Sequence, residues 1–251
     1  MPLSGALARR PVEFLIRKLE SIGSLSSEQC DALRRLEYRC IAVNAHEDIV
    51  REGDRPSTVT LVVQGCLGQY KVVTDGKRQI LSFYIAGDIP DLPSLFLSAM
   101  DHSLCSLAPS QLAVIPRSAM LALFAAQPQL AYLFWRNTLI DAAIFRECMV
   151  GIGRRSAFTR VAHFFCEMIV RMQAVGLSSN YAIELPLTQT DIADALGLST
   201  VHVNRTLQVL RGAGLIKLNR GTLVAIDWPG LRAAGEFDQS YLHKLHTDAA
   251  P

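Results

Sequence analysis

The stretch that most restricts this chain is residues 187–206, LTQTDIADALGLSTVHVNRT. Thr188 followed three residues on by Asp191 makes a capping box. The hydroxyl accepts from a free backbone amide while the carboxylate reaches back, so a helix starts there. Ile192, Ala193 and Leu196 give that helix an apolar face, and Gly197 can take the positive φ that a sharp turn between helices needs. Ser199 caps a second helix, in which Val203, Leu207 and Leu210 recur at helical spacing and point inward. Thr200, Val201, His202, Asn204, Arg205 and Gln208 are left on or near the outer surface. A polar, Arg-bearing face of that kind needs a partner.

An α-helix fits the DNA major groove, where its first turn reaches base edges while the preceding helix touches the backbone. Arg205 can bond a guanine edge or a phosphate, Thr200 and Asn204 can serve either role, and Val201 can touch a thymine methyl. His202 and Gln208 share that face. Ser199 and Thr188, with Gln189 beside it, lie at helix N-termini, where amides and the helix dipole favour phosphate. The continuation LRGAGLIKLNRGTLVAIDW reads as strand IKL, turn Asn219-Arg220-Gly221 and strand TLVAI. This is a β-hairpin wing with Arg220 at its tip, placed for a phosphate or the minor groove. Two short helices alone occur in many helical domains; the added wing points to double-stranded DNA.

Charge supports the location. Net charge is only +2, but residues 151–220 carry eight Arg or Lys against four acids, whereas residues 1–150 carry 15 of each sign. The excess surrounds the two-helix stretch, where a polyanion contact would want it. With 50% hydrophobic and 19% charged residues the chain should fold. No apolar run is long enough to span a membrane and the start lacks a secretory leader, so a cytoplasmic protein without membrane contact is expected. Cys30, Cys40, Cys66, Cys105, Cys148 and Cys166 show no C-x-x-C pair and no zinc-finger spacing, so buried, reduced thiols and no metal site are expected.

Upstream, apolar residues from Val12 to Leu36 predict two packing helices, the second capped by Ser26 or Ser27. From about Arg39 to Pro116 the chain is rich in Val, Ile and Thr with frequent Gly, which predicts short strands in a barrel or sandwich; Asp75-Gly76 marks a hairpin. PQLAYLFWRNTLIDAAIFRECMVGIGRR then predicts a long helix. Leu130, Leu133, Asn137, Ile140, Ile144 and Glu147 fall at 3–4 spacing, either as a dimerisation seam or as a face packed on the strands. GIGRRS reads as a hinge, and Ala157 to Val175 as another amphipathic helix.

At this point the sequence resembles the CRP/FNR family of bacterial transcription regulators. LTQTDIADALGLSTVHVNRTLQVLRGAGLI looks like the family's DNA-binding signature, and GDIPDL resembles its GD-containing turn before the effector pocket. The resemblance implies an α+β architecture: a cyclic-nucleotide-binding-like sensor β-roll (1–125), a dimerisation helix and hinge (126–153), and a winged helix-turn-helix domain (154–251). It implies a homodimer on a two-fold-symmetric operator, with RNA polymerase as a further partner, regulated by a signal sensed in the β-roll. The effector would lie near Gly87, Asp88, Asp91, Leu92, His102 and Ser103, facing Asn137 and Thr138 on the long helix.

Two departures bear on the effector. Where family members that bind cyclic AMP carry a Gly-Glu-Leu turn and an Arg-Ser or Arg-Thr pair, this chain has Asp91 and His102-Ser103. A phosphate would meet Asp88, Asp91 and Asp101 with no arginine, which argues against a cyclic nucleotide. The N-terminal cysteine group of iron–sulfur oxygen sensors is missing, while His46, His102 or a cysteine leaves haem ligation open. His243 and His246 read as an exposed tail. The recognition helix also departs, holding Thr200 and Val201 where many members carry Arg or Glu, so a different half-site is expected. A β-roll that binds no small molecule and serves as a dimer or protein-contact platform is the rival reading. An enzyme is not expected: no G-x-S-x-G elbow or phosphate-binding loop occurs, and DHS at 101–103 is no triad.

Overall fold

The computed structural model describes residues 11–219 and 221–245. Two short helices open it, α1 (Val12–Glu20) and α2 (Ser27–Arg34), the second started by a capping box between Ser26 and Gln29. The strands β1 (Arg39–Val43), β2 (Asp48–Val50), β3 (Thr58–Gln64), β4 (Leu67–Val72), β5 (Arg78–Tyr84), β6 (Ser103–Ser106) and β7 (Ser110–Pro116) follow. They pair antiparallel into two sheets, ordered β1-β7-β3 and β2-β6-β4-β5. Val43, Val62, Leu67, Leu104 and Leu112 from both sheets share one buried cluster, the β-roll interior. The expected Asp75-Gly76 turn joins β4 to β5, with Val72 opposite Arg78 and Gly76 at φ +82°.

After β7 come α3 (Arg117–Ala126), α4 (Pro128–Arg154) and α5 (Ala157–Ala174). Then follow β8 (Ala182–Glu184), α6 (Gln189–Leu196), α7 (Thr200–Gly212), β9 (Ile216–Asn219), β10 (Thr222–Ala225) and α8 (Trp228–Ala234). A 3-10 turn, Gln239–Leu242, closes the described chain, and the wing is a small sheet ordered β8-β10-β9. The architecture is the α+β one expected: β-roll, long helix, winged helix-turn-helix.

The structure refines two readings of the long helix. Within GIGRRS, Gly151 and Gly153 lie inside α4, which runs to Arg154, and the break falls on the last two residues. Glycine permits a bend without forcing one. The chain leaves the helix at Arg155, whose ψ of 148° is extended, and Ser156 starts α5 by accepting from the Thr159 amide.

Of the two readings left open for the 3–4 spaced face, the structure favours packing within the chain. Leu130, Leu133, Ile140 and Ile144 are buried against their own chain, and Asn137 and Glu147 sit half-buried beside them. A different apolar stripe stays exposed: Tyr132, Trp135, Leu139, Ala142, Phe145, Met149 and Ile152. Its steps of three and four residues keep it on one side of α4, and Tyr132 and Trp135 are each 62% accessible.

Candidate nucleic-acid interface

The two helices form as their sequence dictates. Thr188 Oγ accepts from the Asp191 amide at 3.1 Å, and the Thr188 amide donates back to the Asp191 carboxylate at 3.0 Å. Gly197 ends α6 in the left-handed region at φ +62°, a conformation in which a side chain would be strained. Ser199 then caps α7 by accepting from the His202 amide at 3.2 Å. Val203, Leu207 and Leu210 are buried, and Thr200, Val201, His202, Asn204, Arg205 and Gln208 are exposed. Asn204 donates to the Gln189 side chain at 3.1 Å, which links the exposed face of α7 to the start of α6. Arg220 lies outside the described residues; Gly221 beside it has φ +81°, as the wing turn requires.

Thr188 is differently placed from expectation. Its hydroxyl proton is donated to Asp191 at 2.6 Å, so that side chain is not a phosphate donor. The first-turn amides of Gln189 and Thr190 have no intrahelical acceptor. Asp191 itself is fully buried and its other oxygen accepts from Arg78 of β5 at 2.7 Å. Arg78 also donates to Asp194 at 2.8 Å, and Gln79 donates to the Ala195 carbonyl at 3.1 Å. The β-roll thus grips the first helix of the DNA-binding pair.

Part of the positive charge in 151–220 is internal. Arg155 pairs with Glu147 at 2.5 Å. Arg160 donates to the carbonyls of Ile152, Arg155 and Leu196, so one guanidinium caps the C-terminal ends of both α4 and α6. Arg171 is buried and bound to Asp88 and Glu167, each at 3.2 Å. Arg154, Arg205 and Lys217 are the described cations of that segment left exposed.

Of the eight residues expected around an effector, several are engaged with the protein itself, while Asp91, His102 and Asn137 each keep one buried polar atom without a partner among the described residues. Asp88 is buried between Lys18 of α1 at 2.7 Å and Arg171 of α5. A Cβ on Gly87 would stand 2.6 Å from the Phe14 carbonyl oxygen. Leu92 is buried, and Ser103 Oγ accepts from the Glu52 amide. Thr138 donates back to the Phe134 carbonyl, and Asn137 donates to Asp141 at 3.1 Å. His102 is buried with Nδ1 2.6 Å from Asp101, and its Nε2 has no partner among the described residues. A cavity of about 50 Å³ lies elsewhere, between β5, α4, α5 and α6, with Phe83, Glu147, Cys148, His163 and Leu196 in its wall.

Asp91 accepts from the Thr60 amide at 2.7 Å through one oxygen, and the other has no partner among the described residues. Burial pushes its carboxyl up to about 6, with the Thr60 amide offsetting only part of that. A raised carboxyl costs the folded protein stability above that pH, and the cost disappears as pH falls from about 6 toward 4. Asp91→Asn keeps the acceptor without the charge. It is expected to add about 1–2 kcal/mol at pH 7.5 and nothing at pH 4, read from urea midpoints. An unchanged or lower midpoint at pH 7.5 would contradict this.

Cys30, Cys66, Cys105 and Cys166 are buried as expected, but Cys148 is half-buried and Cys40 exposed. Burial pushes the Cys66 and Cys166 thiols up to about 12 and Cys148 to about 11, which keeps them protonated. Among the described residues no helix is long and apolar enough to cross a membrane. His243 is exposed, and His246 lies outside the described residues.

Comparison with known proteins gives two matched segments. Residues 41–127 match a cyclic nucleotide-binding domain, and residues 159–234 match a Crp-like helix-turn-helix domain. A probable transcriptional activator of Rhizobium leguminosarum bv. viciae is 29% identical over 196 residues, covering 78% of this chain and 80% of that one. The nitrogen fixation regulation protein FixK of Bradyrhizobium diazoefficiens is 28% identical over 204 residues, covering 80% and 85%. The solved structure of FixK2 from Bradyrhizobium japonicum superposes with a TM-score of 0.72 at 26% identity, over 79% of this chain and 98% of that one.

Proposed function

The chain belongs to the CRP/FNR family of DNA-binding transcription regulators, and on that premise we propose that it acts as a homodimer reading a two-fold-symmetric operator. The observation that carries this reading is the exposed face of α7, with Thr200, Val201, Asn204 and Arg205 outward on a rigid, capped helix. A dimer formed along the exposed stripe of α4 sets two such helices into successive major grooves, about 34 Å apart. In this reading residues 1–125 receive the signal, 126–153 carry the dimer contact and 154–251 bind DNA. No enzymatic step is involved.

Selection of bound duplexes from a random pool, at one fixed salt concentration with purified protein, tests the proposal. A two-fold-symmetric site is expected. Arg205→Ala should then weaken that site by about 1–3 kcal/mol per contacted base pair and relax preference at one position of each half-site. If folded, dimeric protein enriches no site, with or without cell extract, the proposal fails. A second reading has its own support: Asp88, Ser103 and Thr138 are already engaged, which favours a β-roll acting as a platform with no small molecule bound. Ligand-free protein that binds its operator fully, with no gain from extract, would favour that second reading.

A further inference from the structure

The Crp-like match ends at residue 234, yet the chain continues in an ordered path back across the junction between the two halves. Gly235 lies against the backbone of α5 so closely that a Cβ there would stand 2.6 Å from the His163 nitrogen. Its carbonyl accepts from His163 Nδ1 at 3.0 Å. Phe237 meets the His163 ring edge-on, with centroids 5.2 Å apart, and is buried. Tyr241 stacks on that ring with centroids 5.8 Å apart, meets Phe237 edge-on and donates its hydroxyl to Glu167 at 2.9 Å. The 3-10 turn carrying it packs on α4, with Leu242 buried.

Beyond the turn the segment reaches the sensor half. Lys244 Nζ donates to the Val170 carbonyl of α5, and the Leu245 amide donates to the Ser21 carbonyl at the end of α1 at 2.9 Å. Helix α1 precedes the matched cyclic nucleotide-binding segment, so neither end of this contact belongs to the matched domains. Lys18, one turn earlier on α1, is the residue that shares Asp88 with Arg171. One short segment therefore touches α1, α4 and α5, the three helices whose mutual position sets where α7 points relative to the dimer stripe.

We infer that residues 235–245 form a strap that fixes the DNA-binding half against α1 and α4, making Tyr241 and Gly235 positioning residues for the recognition helix. The DNA part of this inference rests on the function proposed above. Unmatched chain at both ends meeting at one junction is what a built-in coupling between sensor and reader requires. Without the strap, the junction keeps the Arg78 and Arg171 ion pairs but loses every contact from α5 and α4 to the end of α1 that runs through Tyr241, Lys244 and Leu245.

The test uses the full chain with Gly235→Ala, which pushes the strap off the α5 backbone, Tyr241→Phe, which removes one hydroxyl, and Leu245→Pro, which removes one amide. Hydrogen exchange of peptides covering residues 12–25, 155–172 and 216–225 is followed by mass spectrometry, and affinity is measured for the selected duplex. Exchange about fivefold or more faster in the first two peptides, with the wing peptide unchanged, is expected, together with an affinity change of threefold or more. General destabilisation would speed the wing as well and would overturn the inference. So would unchanged exchange in residues 12–25. Faster exchange with unaltered affinity would overturn the positioning role, while a wild type that binds no duplex refutes the DNA reading and leaves the exchange results to decide whether the strap holds the two halves together. Leu245→Pro lies at the surface end of the strap and decides the matter if Gly235→Ala does not fold.

Discussion

Replacing Arg171 by methionine is expected to lower the free energy of unfolding by about 3–5 kcal/mol, because it strips one partner from a buried ionic network. The guanidinium donates to the Phe83 carbonyl at 2.6 Å, to Asp88 at 3.2 Å and to Glu167 at 3.2 Å, with the whole residue 6% accessible. Methionine fills similar space but leaves the Phe83 carbonyl without that donor and Asp88 dependent on Lys18 and the Ile85 amide. Burial on its own would raise the Asp88 carboxyl; Lys18 first and Arg171 next reverse that and hold it below the usual carboxylate range. A depressed carboxyl contributes stability that is present above its ordinary titration range and lost as pH falls through the folded value. The variant should therefore also begin acid unfolding at a higher pH than wild type. Urea titrations at pH 7 and an acid titration followed by circular dichroism check both. A loss below about 1 kcal/mol would mean that Lys18 alone neutralises Asp88.

Arg171 also marks the limit of what was legible in the chain. The capping boxes, Gly197 and the inward set Val203, Leu207 and Leu210 could be read directly, because each follows from a neighbour three or four residues away. Arg171 could not: apart from Glu167 one turn away, its partners Asp88 and Phe83 are 83 and 88 residues distant, and a charge count sees an arginine near a DNA-binding motif. The same blindness covered Arg155 and Arg160, whose charge faces Glu147 and helix ends rather than solvent. Asp88, in the GDIPDL turn, pairs with Lys18 of α1 and Arg171 of α5, partners 70 and 83 residues away that a reading of the turn alone does not reveal. The offset between Gly151 and the true helix end arose because glycine lowers helix stability without supplying a stop, whereas Ser156 supplies a start. In α4 the periodicity was read correctly but two apolar faces satisfied it, and only packing distinguishes the one already covered.

The uncovered face carries the second large effect. Trp135→Glu is expected to weaken dimer formation by about 4 kcal/mol, roughly a thousandfold, while leaving the fold intact. Trp135 is 62% accessible, and Leu139, Phe145 and Met149 further along the same stripe are 51%, 43% and 60% accessible, so the substitution removes little packing within its own chain. Soluble monomers seldom expose so continuous an apolar stripe. In a two-fold interface the same residue acts from both copies, so a buried aromatic anchor worth about 2 kcal/mol is lost twice, and two carboxylates are brought together besides. On the proposed two-fold-symmetric binding, in which each half-site takes one copy, DNA affinity is expected to fall with the dimer. Leu133→Glu, on the covered face, should behave oppositely and unfold the protein, since its buried side chain packs so tightly against Gly23 that a Cβ added there would clash with it. Sedimentation equilibrium and thermal melts of the two variants separate the faces. A Trp135→Glu protein that remains dimeric at micromolar concentration would show that the stripe of α4 is not the seam.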